Sequence, residues 1–90
     1  MFREKIKVLD CTVRDGGLIN KHDFDLRFVR EVYKALSAAG VDYMEIGYKN
    51  SQKLFSPKEY GKWKFSTDDD IRQVIDGIES KTKISVMVDV

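Results

Sequence analysis

The chain has 90 residues, with 16 basic and 15 acidic side chains and a formal net charge of +1. This length allows one domain of modest size, and the balanced charge gives no argument for a nucleic-acid or membrane surface. No apolar run approaches the roughly 20 residues of a membrane-spanning helix. The charged start, 1–7, lacks the apolar segment of a secretory signal. Because Cys11 is the single cysteine, an internal disulfide is excluded, and we expect a cytoplasmic protein.

Short apolar, β-branched runs alternate along the chain with stretches whose apolar residues recur at helical spacing. The runs predict three strands, and the stretches predict two helices. In chain order these elements are a strand at 6–11, a helix at about 24–39, a strand at 41–48, a helix at about 68–79 and a strand at 83–90. Strands joined by helices pair in parallel. The predicted fold class is therefore α/β, a β-α-β-α-β parallel unit.

Polar residues and glycines mark the ends of the two predicted helices. We expect Asp23 or Asp25 to cap the start of the first helix, and Gly40 follows its last turn. We expect Ser66 or Thr67 to cap the second helix, because an acidic side chain follows three residues later.

The size of the chain limits what this sheet can bury. The third strand is apolar on both faces, which is typical of a sheet covered on both sides. Two helices cover only one face of three strands, and the chain ends within the third strand. We therefore expect residues 1–90 to be the amino-terminal portion of a longer α/β domain.

In α/β folds, functional sites lie at the carboxyl ends of the parallel strands. Three places qualify here: the segment 14–17, Glu45 and Asp89. A turn at the glycine pair of that segment would bring Arg14 and Asp15 into one pocket. Arg14 would then offer a permanent positive charge to a carboxylate or enolate, and Asp15 a hard oxygen ligand for a divalent metal. The other interpretation is a surface turn that Asp15 stabilises through hydrogen bonds to the backbone.

Glu45 lies in an otherwise apolar strand, on the same face as Tyr43 and Gly47 by period-two alternation. A buried carboxylate needs a partner, and Arg14 is the obvious one. A structural ion pair and a catalytic role are both open.

His22 is the only histidine of the chain. It precedes the first helix, so a solvated loop or capping position is one interpretation. The other is a base or ligand, if the loop folds over the pocket. Asn20 is a similar candidate.

The segment 49–66 combines basic and aromatic residues without helical or strand periodicity. Such interleaving predicts binding of single-stranded nucleic acid or another anionic partner, or else a loop pinned by its aromatic rings with solvated lysines. Its lysines and aromatic residues are Lys49, Lys53, Lys58, Lys62 and Lys64, with Phe55, Tyr60, Trp63 and Phe65.

Three parts of the sequence carry a family resemblance. The first, 9–17, reads Leu-Asp-Cys-Thr-Val-Arg-Asp-Gly-Gly and resembles the first-strand signature of the DRE-TIM metallolyase superfamily. The predicted helix from Phe24 and the segment 39–47 also resemble that superfamily. Its members include 4-hydroxy-2-oxovalerate aldolase, HMG-CoA lyase, and the isopropylmalate and homocitrate synthases. The resemblance covers about the first fifty residues and is closest to the aldolase-like branch.

The resemblance implies a TIM (β/α)8 barrel of about 250 residues, of which this chain is roughly the first three strands. It implies an aldolase or lyase that makes or breaks a carbon–carbon bond through an enolate of a 2-oxo acid, such as pyruvate, or of an acyl thioester. Asp15 would ligate Mn²⁺ or Mg²⁺. Arg14 would stabilise the enolate, with Gly16 and Gly17 beside the substrate and Glu45 near that arginine.

Two departures from the family pattern affect this expectation. Where aldolases carry a histidine base shortly after the Arg-Asp pair, this chain has Gly17 and Leu18, and His22 lies further along. The family's other metal ligands, a His-x-His pair, are absent from these 90 residues. We therefore expect this piece alone to bind metal weakly and to lack turnover.

The partners expected are a small-molecule substrate and, through the exposed edges of the first and third strands, a second copy of the chain. Nucleic acid and membranes are not expected partners. The alternative is a small non-catalytic α/β module that binds an anionic partner through the segment 49–66. A flavodoxin-like or receiver-type domain is a third interpretation, weakened by the absence of a phosphate-binding loop.

Overall fold

The computed structural model describes residues 6–88. These residues form three strands, three α-helices and a short 3₁₀ helix that follows the second strand. The elements are β1 (Leu9–Asp10), α1 (Thr12–Asn20), α2 (Leu26–Ala38), β2 (Tyr43–Tyr48), the 3₁₀ helix (Lys62–Lys64), α3 (Asp68–Ile75) and β3 (Lys83–Met87). Both α1 and α2 lie between β1 and β2. Within residues 6–88, no helix has the length and apolar character needed to cross a membrane.

The three strands form one parallel sheet in the order β1-β2-β3. Leu9 pairs with Tyr43 between β1 and β2, and Met44 pairs with Ile84 between β2 and β3. The predicted parallel α/β unit is therefore confirmed. The strands are shorter than predicted, because backbone pairing begins only where neighbouring strands run side by side.

The segment after β1 is helical, so the predicted turn at Gly16 and Gly17 was wrong. Asp10, the last residue of β1, contacts the first residue of the helix: its carboxylate accepts hydrogen bonds from the backbone N–H of Thr12 at 3.0 Å and from the Thr12 hydroxyl at 2.9 Å. Both glycines lie inside α1. A Cβ atom on Gly16 would lie 3.0 Å from the tip of the Phe24 ring. The glycine therefore allows Phe24 to pack closely against α1.

The ends of α2 follow the sequence prediction. Asp25 is its N-cap, and the Asp25 carboxylate accepts a hydrogen bond from the backbone N–H of Arg27 at 2.9 Å. Gly40 follows the helix with φ 77°, a left-handed conformation that suits glycine. The backbone N–H of Val41 donates to the carbonyl of Leu36 at 3.1 Å, which completes the usual glycine-terminated helix end.

The start of α3 is a capping box. The Thr67 hydroxyl accepts from the backbone N–H of Asp70 at 3.2 Å, and the Asp70 carboxylate accepts from the backbone N–H of Thr67 at 3.1 Å. The helix ends at Ile75, earlier than the predicted Glu79. The chain leaves the helix there because Asp76 is extended and Gly77 adopts φ 71°.

The core lies between the sheet and the helices. Met44 and Ile46 of β2 are fully buried, and α2 packs against α3. The phenol of Tyr33 donates to the backbone carbonyl of Thr82 at 2.9 Å, which ties α2 to the start of β3. The buried apolar cluster is Val13, Val29, Tyr33, Met44, Ile46, Trp63 and Val74.

Candidate functional site

The two charged residues singled out at the strand ends meet in the structure. The Nε atom of Arg14, on α1, lies against the Oε1 atom of Glu45, on β2, in an ion pair. Glu45 is 7% exposed, and its other oxygen accepts from the hydroxyl of Ser85 at 3.5 Å. The predicted partnership of Arg14 and Glu45 is thus present.

Arg14 also contacts the neighbouring carboxylate. Its Nη1 atom lies 3.2 Å from Oδ1 of Asp15, whose side chain is 62% exposed. A hydrogen bond to the Cys11 side chain is the main cause that raises the pKa of the guanidinium above its ordinary value, and the charges of Asp15 and Glu45 and a hydrogen bond to Tyr48 add to it. Burial acts in the opposite direction. Arg14 is therefore held as a fixed cation.

Asp15 is the one carboxylate that the family resemblance assigns to a metal. Among residues 6–88, no group of three histidine, cysteine, aspartate or glutamate side chains lies together as a metal-binding cluster. The exposed Asp15 carboxylate can supply one hard oxygen ligand. The described residues therefore do not form a complete metal site by themselves.

Tyr48, at the end of β2, is a site residue that the sequence interpretation missed. Strict alternation places it on the face opposite Glu45. However, Glu45 pairs with Ser85 and Tyr48 pairs with Met87, so three steps on β2 match two steps on β3. This bulge turns Tyr48 to the face of Glu45. Gly47 lies within this bulge and adopts φ 151°. A glycine inside an otherwise apolar strand was the signal in the sequence that could have indicated the bulge.

His22 is buried, so the solvated-loop interpretation was wrong. It is 4% exposed, and its imidazole meets the ring of Tyr48 edge-on, with the ring centroids 5.1 Å apart. A Cβ atom on Gly17 would lie 2.0 Å from Nδ1 of His22. Gly17 and Arg14 are three residues apart on α1 and so share a face of that helix. The imidazole therefore fills the space left by the missing side chain of Gly17, one helical turn from Arg14.

Backbone hydrogen bonds hold the segment around His22 in an unusual conformation. Lys21 and His22 have φ values of 57° and 62°, which is a left-handed conformation that costs free energy in non-glycine residues. The carbonyl of Lys21 accepts from the N–H of Gly61 at 2.9 Å, and that of His22 from the N–H of Trp63 at 3.2 Å. The indole of Trp63 also donates to the carbonyl of Phe24 at 2.8 Å. The 3₁₀ segment thus locks the imidazole against the site.

Three aromatic rings, two from the segment 49–66 and that of Tyr48, surround one lysine of this segment. The ammonium of Lys64 lies 4.4 Å from the ring centroid of Tyr48, 4.2 Å from that of Phe55 and 5.1 Å from that of Tyr60. Lys64 is 8% exposed. These contacts are cation–π interactions.

Other groups of this segment are also engaged within the chain. Lys49 pairs with Asp68 at 2.8 Å, Lys62 lies 3.7 Å from Asp70, and Trp63 is fully buried. The geometry therefore favours a loop pinned by its aromatic rings over a surface that stacks nucleic-acid bases, although Lys64 is buried rather than solvated.

The remaining candidates lie away from the Arg14–Glu45 pair or outside the described residues. The side-chain oxygen of Asn20 accepts from the backbone N–H of Asp23 at 3.4 Å, and Asn20 lines a polar groove of about 370 Å³. The glycines Gly16 and Gly17 are covered by Phe24 and His22. Asp89 lies outside residues 6–88.

Sequence comparisons find relatives among aldolases. The chain is 30% identical over 87 residues to 4-hydroxy-2-oxovalerate aldolase 6 of Rhodococcus jostii, a match that covers 97% of this chain and 24% of that protein. It is 27% identical over 88 residues to the 4-hydroxy-2-oxovalerate aldolase of Moorella thermoacetica, covering 98% of this chain and 25% of that protein. The chain thus spans about a quarter of the length of these relatives. No family model matches the chain.

A solved structure has the same fold. The crystal structure of the N-terminal domain of a candidate aldolase from Bacteroides vulgatus matches 90% of this chain and 25% of its own, with a TM-score of 0.66 and 30% sequence identity. The fold class predicted from the sequence is confirmed, and the three-stranded unit is consistent with the first part of a TIM barrel.

Fold and relatives together assign the chain to the class of α/β proteins that resemble the amino-terminal portion of an aldolase. Within that class, the chain is a relative of the 4-hydroxy-2-oxovalerate aldolases of the DRE-TIM metallolyase superfamily. The family resemblance seen in the sequence is thereby confirmed.

Proposed function

We propose that the chain is the amino-terminal part of a divalent-metal-dependent aldolase that makes or breaks a carbon–carbon bond through the enolate of a 2-oxo acid or acyl thioester. The observation that carries the proposal is the ion pair between Arg14 of α1 and Glu45 of β2, in a chain related to aldolases over almost its whole length.

The proposed role of Arg14 follows from its surroundings. Its side chain is 23% exposed, so part of the guanidinium can reach a ligand while the rest is held by Glu45 and Asp15. A cation fixed in this way stabilises the negative charge that develops on an enolate oxygen without first having to reorganise. Glu45 is buried, so its proposed role is to hold the guanidinium of Arg14 through the ion pair rather than to contact the substrate.

The proposed metal is Mn²⁺ or Mg²⁺, with Asp15 as one of its ligands. When bound, such an ion supplies Lewis-acid stabilisation to carbonyl and carboxylate oxygens. The remaining ligands would come from outside residues 6–88, which hold no complete cluster. A whole barrel of this type has about 250 residues, so the complete catalytic domain would be longer than this chain.

The test is a cleavage assay on the full-length protein. The purified protein is mixed with 4-hydroxy-2-oxo acids of different chain length, and pyruvate release is measured before and after EDTA treatment and with Mn²⁺ added back. We expect release that EDTA abolishes and Mn²⁺ restores. If no 4-hydroxy-2-oxo acid gives pyruvate release, the 2-oxo-acid aldolase proposal is contradicted, whereas release that is insensitive to EDTA would contradict the metal dependence alone.

Two arginine variants provide a matched comparison. Arg14→Lys keeps a positive charge but loses the planar fork of donors, and we expect it to lower the rate by about 10²-fold or more. Arg72→Lys is the control, because Arg72 is exposed and pairs with Asp69 on the surface of α3. Equal reaction rates for the two variants would show that Arg14 does not stabilise the enolate as proposed.

The isolated residues 1–90 should bind metal weakly and show no turnover, because Asp15 alone cannot hold an ion well. Calorimetric titration with Mn²⁺ measures this directly. A tight, saturable site on the isolated chain would show that the proposed ligand set is wrong.

A further inference from the structure

The exposed face of α1 changes from charged to apolar over one helical turn. Asp15, whose side chain is 62% exposed, is followed three and four residues later by Leu18 and Ile19, which are 71% and 91% exposed. Residues at this spacing are neighbours on a helix surface. Val13 and Gly17 occupy the buried face of the same helix. Leu18 and Ile19 therefore form a small apolar surface directly beside the Asp15 carboxylate.

Arg14 belongs to the charged end of this face. Its Nη1 atom lies 3.2 Å from Oδ1 of Asp15. Leu18 follows Arg14 by four residues, so these two side chains also neighbour each other on the helix. One turn of α1 thus presents a cation, a carboxylate and two apolar side chains side by side. A molecule complementary to this face has a polar, acidic group at one end and an apolar chain at the other.

A small molecule of this kind fits the face better than a second polypeptide segment does. A segment that covered Leu18 and Ile19 would also cover the adjacent Asp15, and burial of a carboxylate is costly unless its oxygens are fully hydrogen-bonded. A ligand whose own polar end meets Arg14 and Asp15 avoids this cost. Ligand sites commonly combine apolar walls with a few convergent polar groups.

We propose that Leu18 and Ile19 form a specificity subsite, which binds an apolar chain of the substrate that extends from C4 of the 2-oxo acid, away from its carboxylate. This inference rests on the proposed function for the identity of the group that Arg14 and Asp15 hold. Side chains one turn apart have Cβ atoms about 5–6 Å from each other, so the chain is longer than a single methyl group. The preferred substrates therefore carry an alkyl tail rather than a charged one.

The test measures binding and needs no turnover. The full-length protein with Mn²⁺ is titrated in a calorimeter with 2-oxopentanoate, 2-oxohexanoate and 2-oxoheptanoate, which lack the 4-hydroxyl group and so cannot undergo aldol cleavage. Each added methylene group should lower Kd about fourfold in wild type, as its burial predicts. 2-Oxoglutarate, which ends in a carboxylate where 2-oxopentanoate ends in a methyl group, should bind about tenfold more weakly or worse.

Alanine variants show whether the two side chains cause this dependence on chain length. Leu18→Ala and Ile19→Ala remove apolar surface without lowering the helix propensity of α1. In either variant we expect the gain per methylene group to fall to about twofold or less, while the Kd of pyruvate stays at its wild-type value. Leu54→Ala is the matched control, because Leu54 is 69% exposed but belongs to the segment 49–66. It should keep the wild-type dependence.

Several results would overturn the proposal. They are equal affinity of wild type for all chain lengths, no binding of any of these acids, tight binding of 2-oxoglutarate, or the same loss of length dependence in Leu54→Ala. A length dependence that survives in Leu18→Ala and Ile19→Ala, together with a lower Tm, would show that another part of the protein covers this face, and would also overturn it.

These outcomes are separate from those of the cleavage assay. A protein that shows the length dependence, and loses it in Leu18→Ala, but releases no pyruvate from 4-hydroxy-2-oxo acids would retain the subsite and contradict the proposed reaction. A protein that releases pyruvate but binds all chain lengths equally would contradict the subsite alone.

Discussion

The adjacent glycines of α1 should respond in opposite directions to the same substitution. Alanine in place of glycine inside a helix stabilises by about 0.5–1 kcal/mol, because the unfolded chain loses less freedom on folding. At Gly16 the new Cβ would meet only the tip of the Phe24 ring at 3.0 Å. Phe24 is half-buried and can give way. We expect Gly16→Ala to leave the free energy of unfolding unchanged or to raise it by up to about 1 kcal/mol.

At Gly17 the same methyl group has no room. It would lie 2.0 Å from Nδ1 and 2.8 Å from Cγ of His22, and the backbone of His22 is held by the N–H of Trp63. Overpacking of this kind costs about 1–3 kcal/mol, and displacing the imidazole from Tyr48 costs about 0.5–1.5 kcal/mol more. After the helix gain is subtracted, Gly17→Ala should lower the free energy of unfolding by about 1–3 kcal/mol.

Urea denaturation of both variants measures these changes, with fluorescence of the buried Trp63 as the probe, the single tryptophan of the chain. Circular dichroism at 222 nm provides a second signal for the same transition. A Gly17→Ala protein that is as stable as wild type, or more stable than Gly16→Ala, would refute the packing of His22 against α1.

Three further substitutions test the site and its supports. Glu45→Gln leaves the charge of Arg14 without its buried partner, and we expect a loss of about 1–3 kcal/mol in urea denaturation; a stability equal to that of wild type would show that the ion pair contributes nothing. Gly47→Ala places a Cβ atom 2.2 Å from a backbone carbonyl oxygen at φ 151°, so we expect a loss of about 3 kcal/mol or more, visible as a failure to give a cooperative unfolding transition. The hydrogen bond and charge of Lys49 lower the pKa of Asp68. Because that pKa is lower in the folded chain, the pair stabilises at neutral pH, and its contribution is lost as the pH falls below about 4. The stability of wild type relative to Asp68→Asn, measured between pH 7 and pH 2, should therefore decrease over that acidic range, and a constant difference would contradict the pair.

Local signals in the sequence were sufficient for the helices and strands with strong periodicity. The carboxylate of Asp25, Gly40 and the Thr67–Asp70 capping box each act within a few residues, so the pattern of residue types contains the information. The Arg14–Glu45 pair was also predictable, because parallel strands place their carboxyl ends at one edge of the sheet.

What the sequence did not reveal depends on close approaches between distant segments. Gly16 and Gly17 have the composition of a turn, but in the structure they let Phe24 and His22 pack against a helix. The burial of His22 requires hydrogen bonds from the 3₁₀ segment, about forty residues away. The position of Tyr48 depends on a register shift against β3, and alternation along one strand cannot show such a shift.

The most direct test of the proposed chemistry is hydrogen exchange at the methyl group of pyruvate. Proton NMR in D₂O follows the loss of the methyl signal, and exchange requires formation of the enolate but no knowledge of the second substrate. The account predicts exchange catalysed by the full-length protein with Mn²⁺ and slowed by about 10²-fold or more in Arg14→Lys, with Arg72→Lys unaffected. Exchange that proceeds equally fast in wild type and Arg14→Lys would contradict the assignment of the enolate charge to Arg14.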